Sequence, residues 1–205
     1  SHLIAGIFFI IRSIGLEFRF ALVNLLCALT FFMSVFYHTF RNYSGKLYDI
    51  TLVLDVDGIN IQIFAYLFTD TVSFFSDSQS EIMKKYLFFY SLLFVISIIA
   101  VPFILHYKIY WLRTFIFIII SFLCLPQIYH NYLINGCTDK LRHFISLRLI
   151  VFFWQGLGLI FRSSHIPERF LPHTIFQYIF HSHFWFHACG AIGSYFGCLS
   201  CQAYE

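Results

Sequence analysis

Long apolar blocks separated by short charged segments are the feature that most constrains this sequence. The blocks lack both the alternation of a strand and the one-sided apolar stripe of a surface helix. A helix needs about 20 mainly apolar residues to cross the hydrocarbon core of a bilayer. The sequence therefore predicts an all-α fold, a multi-pass bundle of transmembrane helices with the lipid bilayer as its first partner.

The composition excludes a soluble protein of this size. Of 205 residues, 60% are hydrophobic and 11% are charged, and the mean hydropathy is +0.77. A soluble domain of this length has no core large enough to hide so much apolar surface.

Seven spans are predicted within a single domain that covers residues 1–205. The first apolar run, His2–Ile11, is too short to cross a bilayer, so we expect a fragment that lacks the upstream N-terminal segment and the start of its first helix. The other six spans are expected at about Phe18–Tyr37, Tyr48–Phe68, Lys85–Leu105, Tyr110–Tyr129, Phe144–Phe161 and Phe176–Leu199.

Charge is expected mainly in the connecting segments, with Asp70 and Arg148 counted among the loop charges. The net charge of +3 is spread thinly, whereas a nucleic-acid partner would require a clustered basic face. Lys and Arg divide seven against six between the two sides, so charge bias gives no orientation.

The last span opens with HSHFWFHACG, which places three histidines at the start of a helix. Residues four apart share one helix face, so His183 and His187 point the same way, while His181 lies roughly 200° around the helix from His183. The same spacing joins Ser34 and His38 at the end of the second span.

Two acids lie about two turns inside the third span. Carboxylates at the depth of Asp55 and Asp57 are costly in a membrane and are by default functional candidates. Four complete crossings separate His38 from His183 and His187, so all three histidines and Asp55 fall on the same side of the membrane.

Three imidazoles and a carboxylate fit a zinc site that keeps one position open for water. His38, His183 and His187 are the predicted zinc ligands, and Asp55 is predicted to hold or deprotonate the water. The residues alone leave an alternative open, because histidines also gather at membrane interfaces. That interpretation is preferred for the remaining ones, which are His106, His130, His143, His165 and His173.

Several segments resemble the motifs of the progestin and adipoQ receptor family, in the same order and at about the same spacing. They are SVFYHTF, LDVDGI, RTFIFIIISFLCLPQIYH, HIPERFLP and SHFWFH, and the start, SHLIAGIFF, is similar to the beginning of that family's first helix. This seven-helix family includes adiponectin receptors and membrane progestin receptors and is related to hemolysin III proteins. The resemblance covers essentially the whole chain.

The resemblance implies a zinc-containing receptor for a hormone or lipid ligand of unknown identity, in the plasma membrane or an internal membrane. The family's Ser-x-x-x-His falls on Ser34 and His38, its aspartate on Asp55, and its closing His-x-x-x-His on His183 and His187. In adiponectin receptors this site faces the cytosol, with the N-terminus inside. Signalling through hydrolysis of a ceramide-like amide is implied, giving a sphingoid base and a fatty acid.

Ser34 is the second candidate catalytic residue, beside Asp55. Its hydroxyl is expected either to hydrogen-bond the substrate or the developing oxyanion, or to bond to its own helix backbone. Two other functions remain open, a receptor whose zinc is purely structural and an ion- or proton-translocating protein. An ordinary G-protein-coupled receptor is discounted, because the D-R-Y and N-P-x-x-Y motifs are missing from the third and seventh spans.

The sequence departs from the family pattern at Phe184, where the family usually has Gln, at His173, where it often has Gly, and at Asp57, where it has a small or uncharged residue. Asp57 leaves open which carboxylate serves the metal. These departures concern the ligand or substrate more than the metal.

Four further residues are assigned structural roles. Pro102 and Pro126 are expected to kink their helices. Gly156 and Gly158 are expected to allow close helix packing. The Pro-Glu-Arg segment before the last span, residues 167–169, is expected to hold loop structure and not to contact substrate.

Overall fold

The computed structural model describes residues 2–75, 79–171 and 180–204, and these are helical almost throughout. The described part confirms the all-α prediction. Its helical segments are α1 (His2–Ser13), α2 (Phe18–Phe40), α3 (Gly45–Phe74), α4 (Ser80–His106), α5 (Tyr110–Phe122), α6 (Cys124–Asn135), α7 (Asp139–Ser164) and α8 (Ser182–Gln202).

Five stretches of the described chain are long and apolar enough to cross a membrane, which makes this a multi-pass integral membrane protein. They are α2, α3, α4, the combined stretch Tyr110–Asn135, and α7. α1 is apolar but shorter, and α8 has the length to span but is less hydrophobic, because histidine, serine and glycine interrupt its apolar residues. The predicted start of the last span at Phe176 lies outside the described residues.

Local sequence signals explain where two of the helices begin. The side chain of Ser44 accepts a hydrogen bond from the amide of Leu47 at 3.2 Å, and Thr138 does the same for Leu141 at 3.1 Å. Each hydroxyl satisfies an amide that has no partner inside its helix. These N-caps fix the first turns of α3 and α7.

The fifth crossing is interrupted at Leu123, between α5 and α6. The amide of Leu123 bonds to the carbonyl of Ile120 at 3.1 Å, a tight turn three residues before Pro126. A proline has no N–H to donate and its ring clashes with the carbonyl four residues earlier, here that of Phe122. Pro126 therefore accounts for the break, whereas α4 continues past Pro102 as one helix.

α3 is the central helix of the bundle. It packs against α2 and α4, its neighbours in the chain, and also contacts α5, α6 and α8. α1 lies on α2, and α7 forms an extensive pair with α8. This arrangement brings the end of α2 close to the start of α8.

Asp70 and Arg148 correct the prediction that both are loop charges. They lie within α3 and α7, with side-chain exposures of 0% and 7%, and a guanidinium nitrogen of Arg148 donates directly to the carboxylate of Asp70. The guanidinium also lies over the rings of Tyr66 and Phe144, 5.2 and 5.0 Å from their centroids. Each charge offsets the other's desolvation, so both remain inside the bundle.

Candidate metal centre

α2 and α8 supply the three histidines predicted to bind zinc. His38 lies in the last turn of α2, and His183 and His187 lie one turn apart in the first two turns of α8. All three side chains are half-buried. The structure thus brings together residues that are about 145 positions apart in the chain.

The three rings converge through their Nε2 atoms. The Nε2 of His183 lies 3.1 Å from that of His38 and 3.0 Å from that of His187. Zn–N bonds of 2.0–2.1 Å in a tetrahedral site place ligand nitrogens roughly 3.3 Å apart. The donor type and the spacing both fit a zinc ion among these three side chains.

Asp55 and Ser34 face each other one turn below the histidines. The Ser34 hydroxyl is buried and lies within hydrogen-bonding reach of the Asp55 carboxyl, and it makes no bond to a carbonyl of its own helix. By contrast, Thr30 and Thr39 on the same helix bond to the carbonyls four residues before them, at 3.0 and 2.8 Å. Ser34 therefore does not use its hydroxyl on its own helix backbone.

Gly58 explains why α2 and α3 meet closely at this level. A Cβ atom on Gly58 would lie 3.2 Å from the Cα of Thr30, so any larger residue would push the helices apart. The Thr30 hydroxyl also donates to the carbonyl of Gly58 at 2.8 Å. Gly58, three residues after Asp55, thus allows the approach that sets Asp55 beside Ser34.

Asp57 points to a different partner. Its carboxylate accepts a hydrogen bond of 3.4 Å from the side-chain amide of Asn60 on the same helix, and it is buried. Neither Asp55 nor Asp57 belongs to the group of described ligand atoms that approach within 4.8 Å of one another. Of the two acids, Asp55 is the one beside Ser34, and Ser34 lies one turn before His38 on the same face of α2.

A fourth histidine, His2, lies beside His38 and His187, in a group of ligand atoms that does not include His183. One ring nitrogen each from His2, His38 and His187 lie within 4.8 Å of one another. The ring of His2 stacks on that of His38 at 5.2 Å and meets that of His187 edge-on at 3.8 Å. Sequence reasoning missed this residue. Two crossings separate His2 from His38, and an even number of crossings would have placed both histidines on the same side of the membrane.

A cavity of about 200 Å³ opens beside the four histidines. Its other lining residues are Arg41, His181 and Phe184. The ring of His181 is parallel to that of His183 at 6.1 Å, and its nitrogens are not part of the cluster of ligand atoms. Phe184 gives this cavity an apolar wall.

Glu168 holds the start of α8 in place. Its carboxylate accepts hydrogen bonds from the amide and the hydroxyl of Ser182, at 2.6 and 2.5 Å. Burial raises the pKa of Glu168, but the hydrogen bonds from Ser182 outweigh this and lower the pKa overall. The acid of the Pro-Glu-Arg segment thus caps the helix that carries His183 and His187, a structural role as expected.

The histidines interpreted as interfacial lie elsewhere. His130 approaches the hydroxyl of Tyr86 at 3.4 Å, His165 lies 4.0 Å from Glu168, and His106 contacts Tyr107. His143 is exposed, and His173 lies outside the described residues.

Comparison with known proteins agrees with a multi-pass membrane fold. The family model described as haemolysin-III related matches residues 1–198 of this chain. A search of curated proteins finds no match. Because the matched region covers nearly all of the sequence, the chain belongs to the haemolysin-III related family.

Proposed function

We propose that this protein is a zinc-dependent hydrolase of ceramide-like lipid amides, within a receptor of the progestin and adipoQ receptor type. The observation that carries the proposal is the convergence of the Nε2 atoms of His38, His183 and His187. The resemblance of the five motifs to the progestin and adipoQ receptor family supports the receptor class. The ligand would be a hormone or lipid.

Zinc suits this donor set better than harder cations do. Imidazole nitrogens favour zinc and other transition metals, whereas magnesium and calcium take oxygen ligands. A bound zinc ion would supply a Lewis acid that polarises an amide carbonyl and lowers the pKa of a water molecule.

Asp55 and Ser34 would do the rest of the chemistry. The carboxylate of Asp55 would accept the proton of the attacking water and pass it to the leaving nitrogen as the amide C–N bond breaks. The Ser34 hydroxyl, which is buried beside Asp55 and is not bonded to its own helix backbone, would donate a hydrogen bond to the oxygen on which negative charge develops. The products are a fatty acid and a sphingoid base.

The cavity also supports a lipid substrate. The polar part of the substrate would lie against the histidines, and Phe184 would contact a hydrocarbon chain. Many large apolar side chains are exposed on the helices around it, as expected for a surface that meets lipid.

The test measures zinc content and amide hydrolysis in purified, detergent-solubilised protein. We expect about one zinc per chain in the wild type and in His181→Ala, and none in His187→Ala. Hydrolysis of a ceramide with a fluorescent acyl chain should stop on chelation and return with zinc. Asp55→Asn should keep the metal and lose about 100-fold or more in rate.

A receptor with purely structural zinc is the second candidate, and the position of His2 favours it, since a fourth ligand would close the site. If wild-type protein holds zinc but releases no fatty acid from the ceramide, the result would support this second candidate. Protein that binds no zinc would overturn both.

A further inference from the structure

Three arginines stand around the candidate metal centre, each at the end of a different helix. Arg41 directly follows α2, and its amide donates to the carbonyl of Tyr37 at 2.9 Å. Arg113 lies in the first turn of α5, 5.7 Å from the ring centroid of Tyr110. Arg162 lies in the last turn of α7, at the end of the bundle where α8 begins.

The three charges act on the side chains of the metal centre. Arg41 lines the cavity of about 200 Å³ beside the histidines. The charge of Arg162 acts on His187, and that of Arg113 acts on Asp55. Arg113 and Arg162 also act on each other. A cleft lined by charges of one sign concentrates ligands of the opposite sign, so this cavity favours an anion.

The arginines of the metal end have no acidic partner within ion-pair distance in the part of the chain that the structure describes. At the opposite end of the bundle, three cations pair with acids of their own segments. These pairs are Arg19 with Glu17 at 3.3 Å, Lys84 with Glu81 at 2.8 Å, and Arg142 with Asp139 at 3.4 Å. Positive charge at the metal end is therefore available to a ligand.

Phosphate is the anion that best fits several arginines. Guanidinium groups bind phosphate oxygens through paired hydrogen bonds, and a phosphate monoester carries a charge of about −1.5 to −2 at pH 7. Arg41 lies three residues beyond His38, which is about 4.5 Å further along the helix axis. In a phosphorylated N-acyl lipid only a few bonds separate the amide from the phosphate. An amide held at the histidines would therefore bring the phosphate to Arg41.

We propose that the arginine cluster, which consists of Arg41, Arg113 and Arg162, selects a lipid amide whose head group carries a phosphate. This inference rests on the proposed function and names its substrate class. The arginines would hold the phosphate, which does not change, while Asp55 passes the proton of the attacking water to the leaving nitrogen. Water is added across the amide C–N bond, so the products are a fatty acid and an amine that keeps its phosphate.

The first test compares ceramide with ceramide phosphorylated on its primary hydroxyl, both with the same fluorescent acyl chain, in maltoside micelles without phospholipid. Wild type should have a kcat/KM about tenfold or more higher for the phosphorylated lipid. Arg41→Gln should lose most of this preference through a higher KM for that lipid, and Arg41→Lys should restore part of it. Arg142→Gln, at the opposite end of the bundle, is the control and should keep the preference. An Arg41→Gln variant with the preference of wild type would overturn the proposal.

The second test needs no hydrolysis. It measures binding of radiolabelled dodecyl phosphate to full-length protein that has been stripped of metal and dialysed, with dodecanol as the neutral match. Wild type and Arg142→Gln should bind the phosphate about tenfold more tightly than Arg41→Gln. Binding of dodecanol should be the same in all three proteins.

Equal phosphate binding in wild type and Arg41→Gln would overturn the arginine cluster as a phosphate site. An equal loss of binding in Arg142→Gln and Arg41→Gln would also overturn it, because the phosphate would then be held by general surface charge. If neither lipid is hydrolysed but Arg41→Gln alone loses dodecyl phosphate, the proposed hydrolysis falls and the phosphate site is supported.

Discussion

Ser34 carries a buried hydroxyl that the helix does not use, and this makes it a sharp test of the proposed chemistry. If the hydroxyl donates to the developing oxyanion, Ser34→Ala should keep its zinc and lose about 100-fold in hydrolysis. Thr39→Ala is the matched control, because the Thr39 hydroxyl is already bonded to the carbonyl of Val35. A Ser34→Ala variant as fast as the control would remove Ser34 from the mechanism.

The ion pair between Asp70 and Arg148 gives a second prediction at the level of single residues. Arg148→Met alone should lower the free energy of unfolding by about 3–5 kcal/mol, since it leaves a buried carboxylate unpaired. The double variant Asp70→Leu with Arg148→Met should recover most of this loss. Denaturant unfolding in detergent would measure both, and additive losses would contradict a direct pairing.

Single residues also mark the limit of sequence reasoning. Hydropathy windows score each charge as if it were alone, so Asp70 and Arg148 were interpreted as loop residues although they neutralise each other 78 positions apart. His2 carried no local signal, because its partners lie on α2 and α8. The pairs Ser34–His38 and His183–His187 were visible because helix periodicity alone places each pair on one face.

At the level of elements, the contact of α7 with α8 depends on Gly158. A Cβ atom there would lie 3.1 Å from the Cβ of Cys189 and 3.2 Å from the carbonyl oxygen of Phe186. The expectation of close packing was wrong for Gly156, where an added Cβ would meet nothing within 4 Å.

Gly158→Ala should therefore destabilise the protein by about 1–3 kcal/mol, because backbone atoms of α8 would have to move. Gly156→Ala is the control in the same helix, and it should be neutral or stabilise by up to about 1 kcal/mol through higher helix propensity. Thermal unfolding of both variants in one detergent would measure the difference. Equal unfolding midpoints for the two variants would show that α8 can move away from α7 without loss of stability.

Helix positions were largely predictable, and helix ends were not. The second span was expected at Phe18–Tyr37 and is found at Phe18–Phe40. The third was expected at Tyr48–Phe68 but runs over Gly45–Phe74, because the partner of Asp70 allows helix to continue past the apolar run. The break at Leu123 lies just before Pro126, so the sequence showed its cause although not its place.

At the level of the whole molecule, a metal shared between α2 and α8 would tie the first and last parts of the chain together. A ligand that binds only the folded state stabilises it, by about 2.7 kcal/mol at 100 times its dissociation constant. Chelation should therefore lower the unfolding midpoint of wild type by about 5–10 °C. The unfolding midpoint of His187→Ala should not change on chelation. A change equal to that of wild type would mean that the metal binds at a site that does not include His187.

The pairing of α2 with α8 was also the part of the architecture that the sequence anticipated, because an even number of crossings returns the chain to the same side. Which helices lie between them, and the central place of α3, depended on packing among many apolar side chains. Those side chains are too similar to one another for a sequence to rank their contacts.

α3 has a consequence for the membrane in which this protein works. Its 30 residues give a helix of about 45 Å, whereas the hydrocarbon core of a bilayer is about 30 Å thick. Such a helix must lean over or project into the headgroup region, and thicker membranes reduce that mismatch. Because α3 contacts most of the other helices, a change in bilayer thickness should alter how the whole bundle packs.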